Sequence, residues 1–215
     1  MPGRCWPAIR TTGSDVHEYI YLASQSPRRR QLLAQIAVRH ELLLPDPHED
    51  TEALEAERRG ESPLAYVERV TRAKLVAARE RLARRGLAFA PILCADTTVA
   101  LGRRLLGKPR DAADAAATLQ HLSARTHRVI TAVAVYDGRR SRVAVNTSHV
   151  RFSALTRAQI DAYVASGEPF GKAGAYAIQS SAACWIEHVA GSYSSIMGLP
   201  LYETAQLLRQ ARVRF

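Results

Sequence analysis

Apolar positions along this chain alternate between two spacings, and each switch marks the passage from a strand to a helix. Tyr19–Ala23 is a short β-rich run ending in Ser-Gln-Ser-Pro. Pro27 then opens a helix to about Ile36, with Leu32, Leu33 and Ile36 on one face and Ser26 as its N-cap. His40–Leu44 reads as a second strand, and the acidic stretch Pro45–Glu61 as a loop. Ser62-Pro63 starts a helix to about Arg85, carrying Leu64, Val67, Val70, Leu75 and Val76 as its apolar stripe. Pro91–Leu101 is a buried strand that turns at Gly102-Arg103 into Leu105-Leu106. Asp111 caps a helix to about Ser123, and His127–Tyr136 pairs with Ser141–Leu155 around Asp137-Gly138. Thr156 and Gln159 form a capping box for a helix to about Ser166. Ala175–Ile178 and Ala183–Val189 read as strands, and a last helix runs from about Pro200 to Arg212. With no repeats and no linker, the pattern predicts a single α/β domain over residues 19–215 built on a mixed sheet.

Bulk properties narrow the class. The chain has 215 residues, 47% hydrophobic and 23% charged, which suits one large domain or two lobes sharing a core. Its apolar runs are strand-sized, too short to span a bilayer. Residues 1–18 lack a continuous apolar stretch and read as a flexible extension, or as the product of a start codon placed too early. Cys5, Cys94 and Cys184 are odd in number and widely spaced, which argues against a disulfide framework and fits the reducing cytoplasm. Cys94 and Cys184 read as small core residues. The seven histidines show no ligand spacing.

Charge changes the picture more. The formal net charge is +10, which favours anionic partners. Of the 30 basic residues only Lys74, Lys108 and Lys172 are lysine. A lysine retained against such an arginine bias points to a place for a compact ammonium that a planar guanidinium does not replace; chance survival is the competing explanation. Aromatic residues are 7% and do not interleave with the arginines, which disfavours base stacking on nucleic acid.

Three segments carry candidate chemistry. At Ser24-Gln25-Ser26-Pro27-Arg28-Arg29-Arg30 a helix N-terminus, two hydroxyls and several guanidiniums form a phosphate cradle, unless the serine is only a cap and the arginines only solvated. Asp96 ends the apolar run Ile92–Ala95 at a strand mouth, where it suits a general base, a metal ligand or a turn cap. Lys108 follows the next hairpin strand and is brought back towards it. The acidic group His48-Glu49-Asp50 suits a divalent cation, or simply a solvated loop.

At these segments the sequence resembles the Maf family of nucleotide pyrophosphatases over nearly all of Tyr19–Phe215. The matching stretches are Leu22–Arg29, Ala95–Val99, Gly107–Asp111, Lys172–Gln179, and Gly191–Tyr193 with Gly198–Leu201. Each is modest alone; five in order are specific. The resemblance implies a two-lobed mixed-sheet fold around a cleft, similar to the inosine triphosphatases, and hydrolysis of a nucleoside triphosphate to monophosphate and pyrophosphate. By position it implies Asp96 as the catalytic aspartate, Glu49 as its acidic support, and Lys74 and Lys108 as active-site lysines. Ser24, Ser26, Arg28 and Arg29 fall on the phosphate-binding segment, and Arg28, Thr97 and Gln179 on positions that set specificity. Asp96 and Glu49 would hold Mg²⁺ or Mn²⁺. The Asp96-Thr97-Thr98 and Lys172–Gln179 stretches look like the branch acting on dTTP and UTP, although Ser180 stands where the family usually has glycine. A homodimer is also implied. A 7-methyl-GTP or non-canonical purine substrate, a nucleic-acid-binding division regulator and a phosphate-transfer enzyme remain the alternatives.

Overall fold

A computed structural model describes residues 16–50 and 53–215. One seven-stranded sheet organises them: β1 (Ile20–Leu22), β2 (His40–Leu42), β3 (Ile92–Leu101), β4 (Arg104–Leu106), β5 (Thr126–Tyr136), β6 (Ser141–Phe152) and β7 (Ile186–Ala190). The order is β2-β1-β3-β5-β6-β7, with β1 parallel to β2 and β3 and the remaining pairs antiparallel. The sheet is therefore mixed, as expected.

One topological detail positions everything that follows. β1 pairs only with the start of β3, at Ile92 and Leu93, whereas β4 pairs with its far end, from Val99 to Leu101. Between them the edge of β3 has no neighbouring strand, and the sheet splits. Asp96 and Thr97 lie in that interval, on opposite faces because side chains alternate along a strand. Such a split is where α/β sheets open a crevice for ligands.

Helices cover both faces. α1 (Pro27–Gln35) and α6 (Leu201–Gln210) pack Leu32, Leu33, Leu207 and Leu208 against Leu93, Ala95 and Val133. α2 (Pro63–Arg84) covers the other face with Leu75, Ala78 and Leu82 over Ile92, Cys94 and Ala134. Beyond the split, α3 (Ala112–Leu122) and α4 (Arg157–Ala165) enclose a second core around Phe152, Tyr176 and Trp185. Asp111 and Thr156 cap α3 and α4 through their side chains, the latter in the predicted capping box.

Several expectations are corrected. Leu64 and Val76 are exposed; the buried stripe of α2 runs instead through Val67, Val70, Thr71, Leu75, Ala78, Arg81 and Leu82. Ala175–Ile178 is not a strand, because Gly174 and Ala175 both take positive φ (72° and 59°), which breaks extended pairing. Ser181–Trp185 is a short 3-10 helix, leaving only β7 extended. A four-residue helix, α5 (Tyr193–Ile196), precedes α6. Cys184 is exposed rather than in the core, whereas Cys94 is buried and its thiol is pushed up to about 12 by that burial. Of the extension at 1–18, residues 1–15 lie outside the described part, as does Cys5; His17 pairs its backbone with Arg212 and Arg214.

Candidate active site

A cleft of about 820 Å³ opens at the sheet split. That volume lies within the usual range for small-molecule sites. It is lined by Ser24, Ser26, Arg28, Arg29, Lys74, Asp96, Thr97, Lys108 and Gln179. The structure thus gathers every predicted site residue but one. Lys172 also lines it, so all three lysines of the chain meet at one opening.

On one wall, β1 runs into the N-terminus of α1. Ser26 holds the N-cap position, yet its hydroxyl makes no capping bond; Ser24 does the local work instead. Ser24 Oγ accepts from the Ser26 amide at 3.2 Å and from Arg29 at 3.1 Å. Arg29 also donates to the Gly198 carbonyl at 2.8 Å and to Thr97 Oγ1 at 3.4 Å. It therefore ties three segments together. Burial draws the Arg29 pKa down, against the pull of the nearby Asp96 carboxylate. Arg28, unlike Arg29, makes no hydrogen bond or ion pair among the described residues and lines the cleft from this wall.

On the other wall stands a charged cluster. Lys74 Nζ donates to Asp96 Oδ1 at 2.5 Å and to Glu55 Oε1 at 2.7 Å, and Lys108 Nζ reaches Glu55 Oε2 at 3.0 Å. Burial by itself would lower the Lys74 pKa, but the two carboxylates outweigh it and the net shift is upward. Glu55 follows the same logic: burial raises it, and the two ammoniums carry it below its ordinary value. Lys74 reaches Asp96 because it lies within the buried stripe of α2, four residues after Val70 and four before Ala78. The sequence placed Lys74 in this helix and left it open as a solvated face residue.

Glu49 is the exception. Its carboxylate binds Arg81 at 2.6 and 3.0 Å and Arg84 at 2.6 Å, and these bonds hold it down to about 2. It anchors the acidic loop to the end of α2, and the acid beside Lys74 and Lys108 is Glu55, on a 3-10 turn at Ala53–Glu55. Sequence alone had no means to choose among the acids of that loop, since neither strand nor helix periodicity orders them.

The third wall is Lys172–Gln179. Gly174 sits against Val99, where an added Cβ would lie 2.9 Å from the valine methyls, at φ +72°. Tyr176 packs on Phe152 and is hydrogen-bonded to His127 Nε2 at 2.7 Å, while Gln179 reaches the cleft exposed. Gly174→Ala combines a left-handed backbone with this clash, so we expect a loss of about 1–3 kcal/mol in urea unfolding. KM should rise with it, as the wall carrying Gln179 shifts; an unchanged KM would contradict this role.

A split mixed sheet with an arginine-rich helix entrance facing paired lysines and carboxylates defines an α/β protein with a cleft suited to a small polyanion. The chain belongs to the Maf family: the family model, described as Maf-like protein, matches residues 19–211. It is 63% identical over 197 residues to a dTTP/UTP pyrophosphatase of Polaromonas sp., covering 92% of this chain and 98% of that one. A protein of the same name from Albidiferax ferrireducens is 63% identical over 192 residues, covering 89% and 96%. One from Cupriavidus pinatubonensis is 59% identical over 200 residues, covering 93% and 100%.

Proposed function

We propose that this protein hydrolyses dTTP and UTP to the nucleoside monophosphate and pyrophosphate in the cytoplasm. The observation that carries this reading is the cleft at the sheet split, where a cationic helix entrance opposes the Lys74–Asp96–Glu55–Lys108 cluster. The names of relatives at 59–63% identity support the pyrimidine substrate. Among the described residues no helix is long and apolar enough to cross a membrane.

In this mechanism Arg28, the Ser26 hydroxyl and the N-terminus of α1 bind the triphosphate, and Arg29 keeps that wall in place. Lys74 and Lys108 meet the charge that grows on the phosphoryl oxygens as the Pα–O bond to the leaving pyrophosphate breaks. Water adds to Pα, and Asp96 accepts its proton. Lys74 occupies Oδ1, and Oδ2 receives no hydrogen bond among the described residues, so it is open to that proton. Asp96 would hold Mg²⁺ or Mn²⁺, joined by Glu55 once Lys74 and Lys108 turn from its oxygens to the phosphates, and the cation would supply Lewis-acid charge. Among the described residues no three His, Cys, Asp or Glu side chains are grouped to hold a metal ion. Glu49 stands outside this donor set because it does not line the cleft, Arg81 and Arg84 holding it at the end of α2.

A panel of dTTP, UTP, 7-methyl-GTP and ITP scored for pyrophosphate release tests the proposal. The pyrimidine nucleotides should lead in kcat/KM by about tenfold or more. A lead for either purine, or release of orthophosphate, would overturn it. The same purified protein should sediment as a homodimer.

A further inference from the structure

We propose that Arg69 is a positioning residue for this reaction: it latches the Ala53–Glu55 turn onto α2, and so sets where the Glu55 carboxylate holds Lys74 and Lys108. The inference rests on the reading of Asp96 and the two lysines as the reacting charged group.

Glu55 lies in an acidic loop where no strand or helix fixes its place, and loop residues of that kind hold a geometry only when they are fastened. Here the fastening is specific. The Arg69 guanidinium forks onto Glu61, Nε to Oε1 at 2.7 Å and Nη2 to Oε2 at 2.7 Å. From that fixed position it donates to the Leu54 carbonyl at 3.3 Å and the Ala56 carbonyl at 2.9 Å. Tyr66, one turn earlier on α2, donates to the carbonyl between them, that of Glu55, at 2.9 Å. Three consecutive carbonyls of the turn are thus held by two side chains of one helix.

The same helix supplies Lys74 further along, which takes the Glu55 side chain. Main chain and carboxylate are therefore referenced to a single rigid element. This is more than a surface ion pair. The Arg69 and Glu61 side chains are 20% and 12% exposed, and the guanidinium spends its donors on four acceptors. A lysine offers no planar fork and cannot reproduce the set. Lys108 is the residue that depends on it most. Its side chain is 54% exposed, and among the described residues its ammonium meets the cluster through Glu55.

The test measures kcat and KM for dTTP, with a thermal melt, on Arg69→Met, Arg69→Lys, Glu61→Gln, Glu55→Gln, Asp96→Asn and the double variant Arg69→Met/Glu55→Gln. Arg69→Met should lower kcat by about tenfold or more, since displacement of a catalytic group by about 1 Å is costly. Arg69→Lys should fail to restore it. Placed on Glu55→Gln, Arg69→Met should add less than about twofold, because its effect runs through a carboxylate already removed. Equal losses in both backgrounds, or a folded Arg69→Met protein with unaltered kcat, would overturn the inference. Glu61→Gln loosens the latch from its other side and decides the matter in the same way if Arg69→Met does not fold. A fully active Glu55→Gln enzyme beside an inactive Asp96→Asn enzyme would defeat the role of Arg69 alone. An active Asp96→Asn enzyme would defeat the reading of the site itself.

Discussion

Asp96→Asn lowers kcat by roughly 100- to 10,000-fold while the protein still folds, which is the range expected for losing a group that takes a proton in the transition state. The amide has the shape of the carboxylate and keeps an oxygen for Lys74, so the bond to Oδ1 survives in weaker form. What disappears is the negative charge and the basic oxygen at the open side. Glu55 still pairs with Lys74, which leaves no buried charge without a partner. Circular dichroism and a thermal melt establish folding, and pyrophosphate release reports the rate. Near-normal turnover by the folded variant would refute the assignment.

Lys74→Met acts on both stability and rate. Among the described residues Lys74 is the one cation that touches both Asp96 and Glu55, and its side chain is 20% exposed. Removing it leaves two carboxylates facing each other at the inner end of the cleft. A fully buried broken pair costs about 3–5 kcal/mol; partial exposure brings the expected loss here to about 1–3 kcal/mol. Turnover falls as well, since the charge that meets the phosphoryl oxygens is gone.

The pH dependence gives the prediction its sign. In the native protein Glu55 is held below its ordinary 4.5, so its share of stability is present above 4.5 and is lost as pH falls through the folded value. Lys74 is held above its ordinary 10.5, so its share is present below 10.5 and is lost as pH rises through the folded value. In Lys74→Met the Lys74 contribution vanishes and that of Glu55 shrinks to what Lys108 supplies. Like charges then raise the carboxylate pKa, and protonation relieves the repulsion. The stability gap between the native protein and the variant should therefore narrow from pH 7 to pH 5 in urea titrations. A gap that widens would mean that Lys74 does not compensate these two acids.

How far the site could be read in advance depends on the kind of residue. Asp96 was legible because a polar side chain interrupts the apolar run of β3, but it stands in mid-strand at the sheet split and not at the strand mouth expected for it. Lys74, Lys108 and Lys172 were legible through composition, since each is a lysine where the chain otherwise writes arginine. Glu49 and Glu55 show the opposite case. They lie in one acidic loop, six residues apart, and matching by position favoured Glu49. The choice between them was made by Arg81 and Arg84, which take Glu49, and by Arg69 and Tyr66, which seat Glu55. Those contacts span 11 to 35 residues of sequence, and no local pattern encodes them.

Local errors have a similar origin. The stretch after Lys172 looks strand-like by its apolar content, but Gly174 and Ala175 take left-handed conformations so that Tyr176 can reach His127 inside the second core. By itself the sequence determined the alternation of strands and helices, the mixed sheet, the helix entrance at Ser26-Pro27 and the polar break that Asp96 makes in the apolar run of β3. These depend on periodicity, capping and turn chemistry, which act over a few residues. Only the tertiary structure decided that β1 and β4 share one edge of β3 without meeting, that Lys74 bridges Asp96 to Glu55, and that Glu49 serves as an anchor. These are contacts between distant segments, and their energies exist only after the chain has closed its loops.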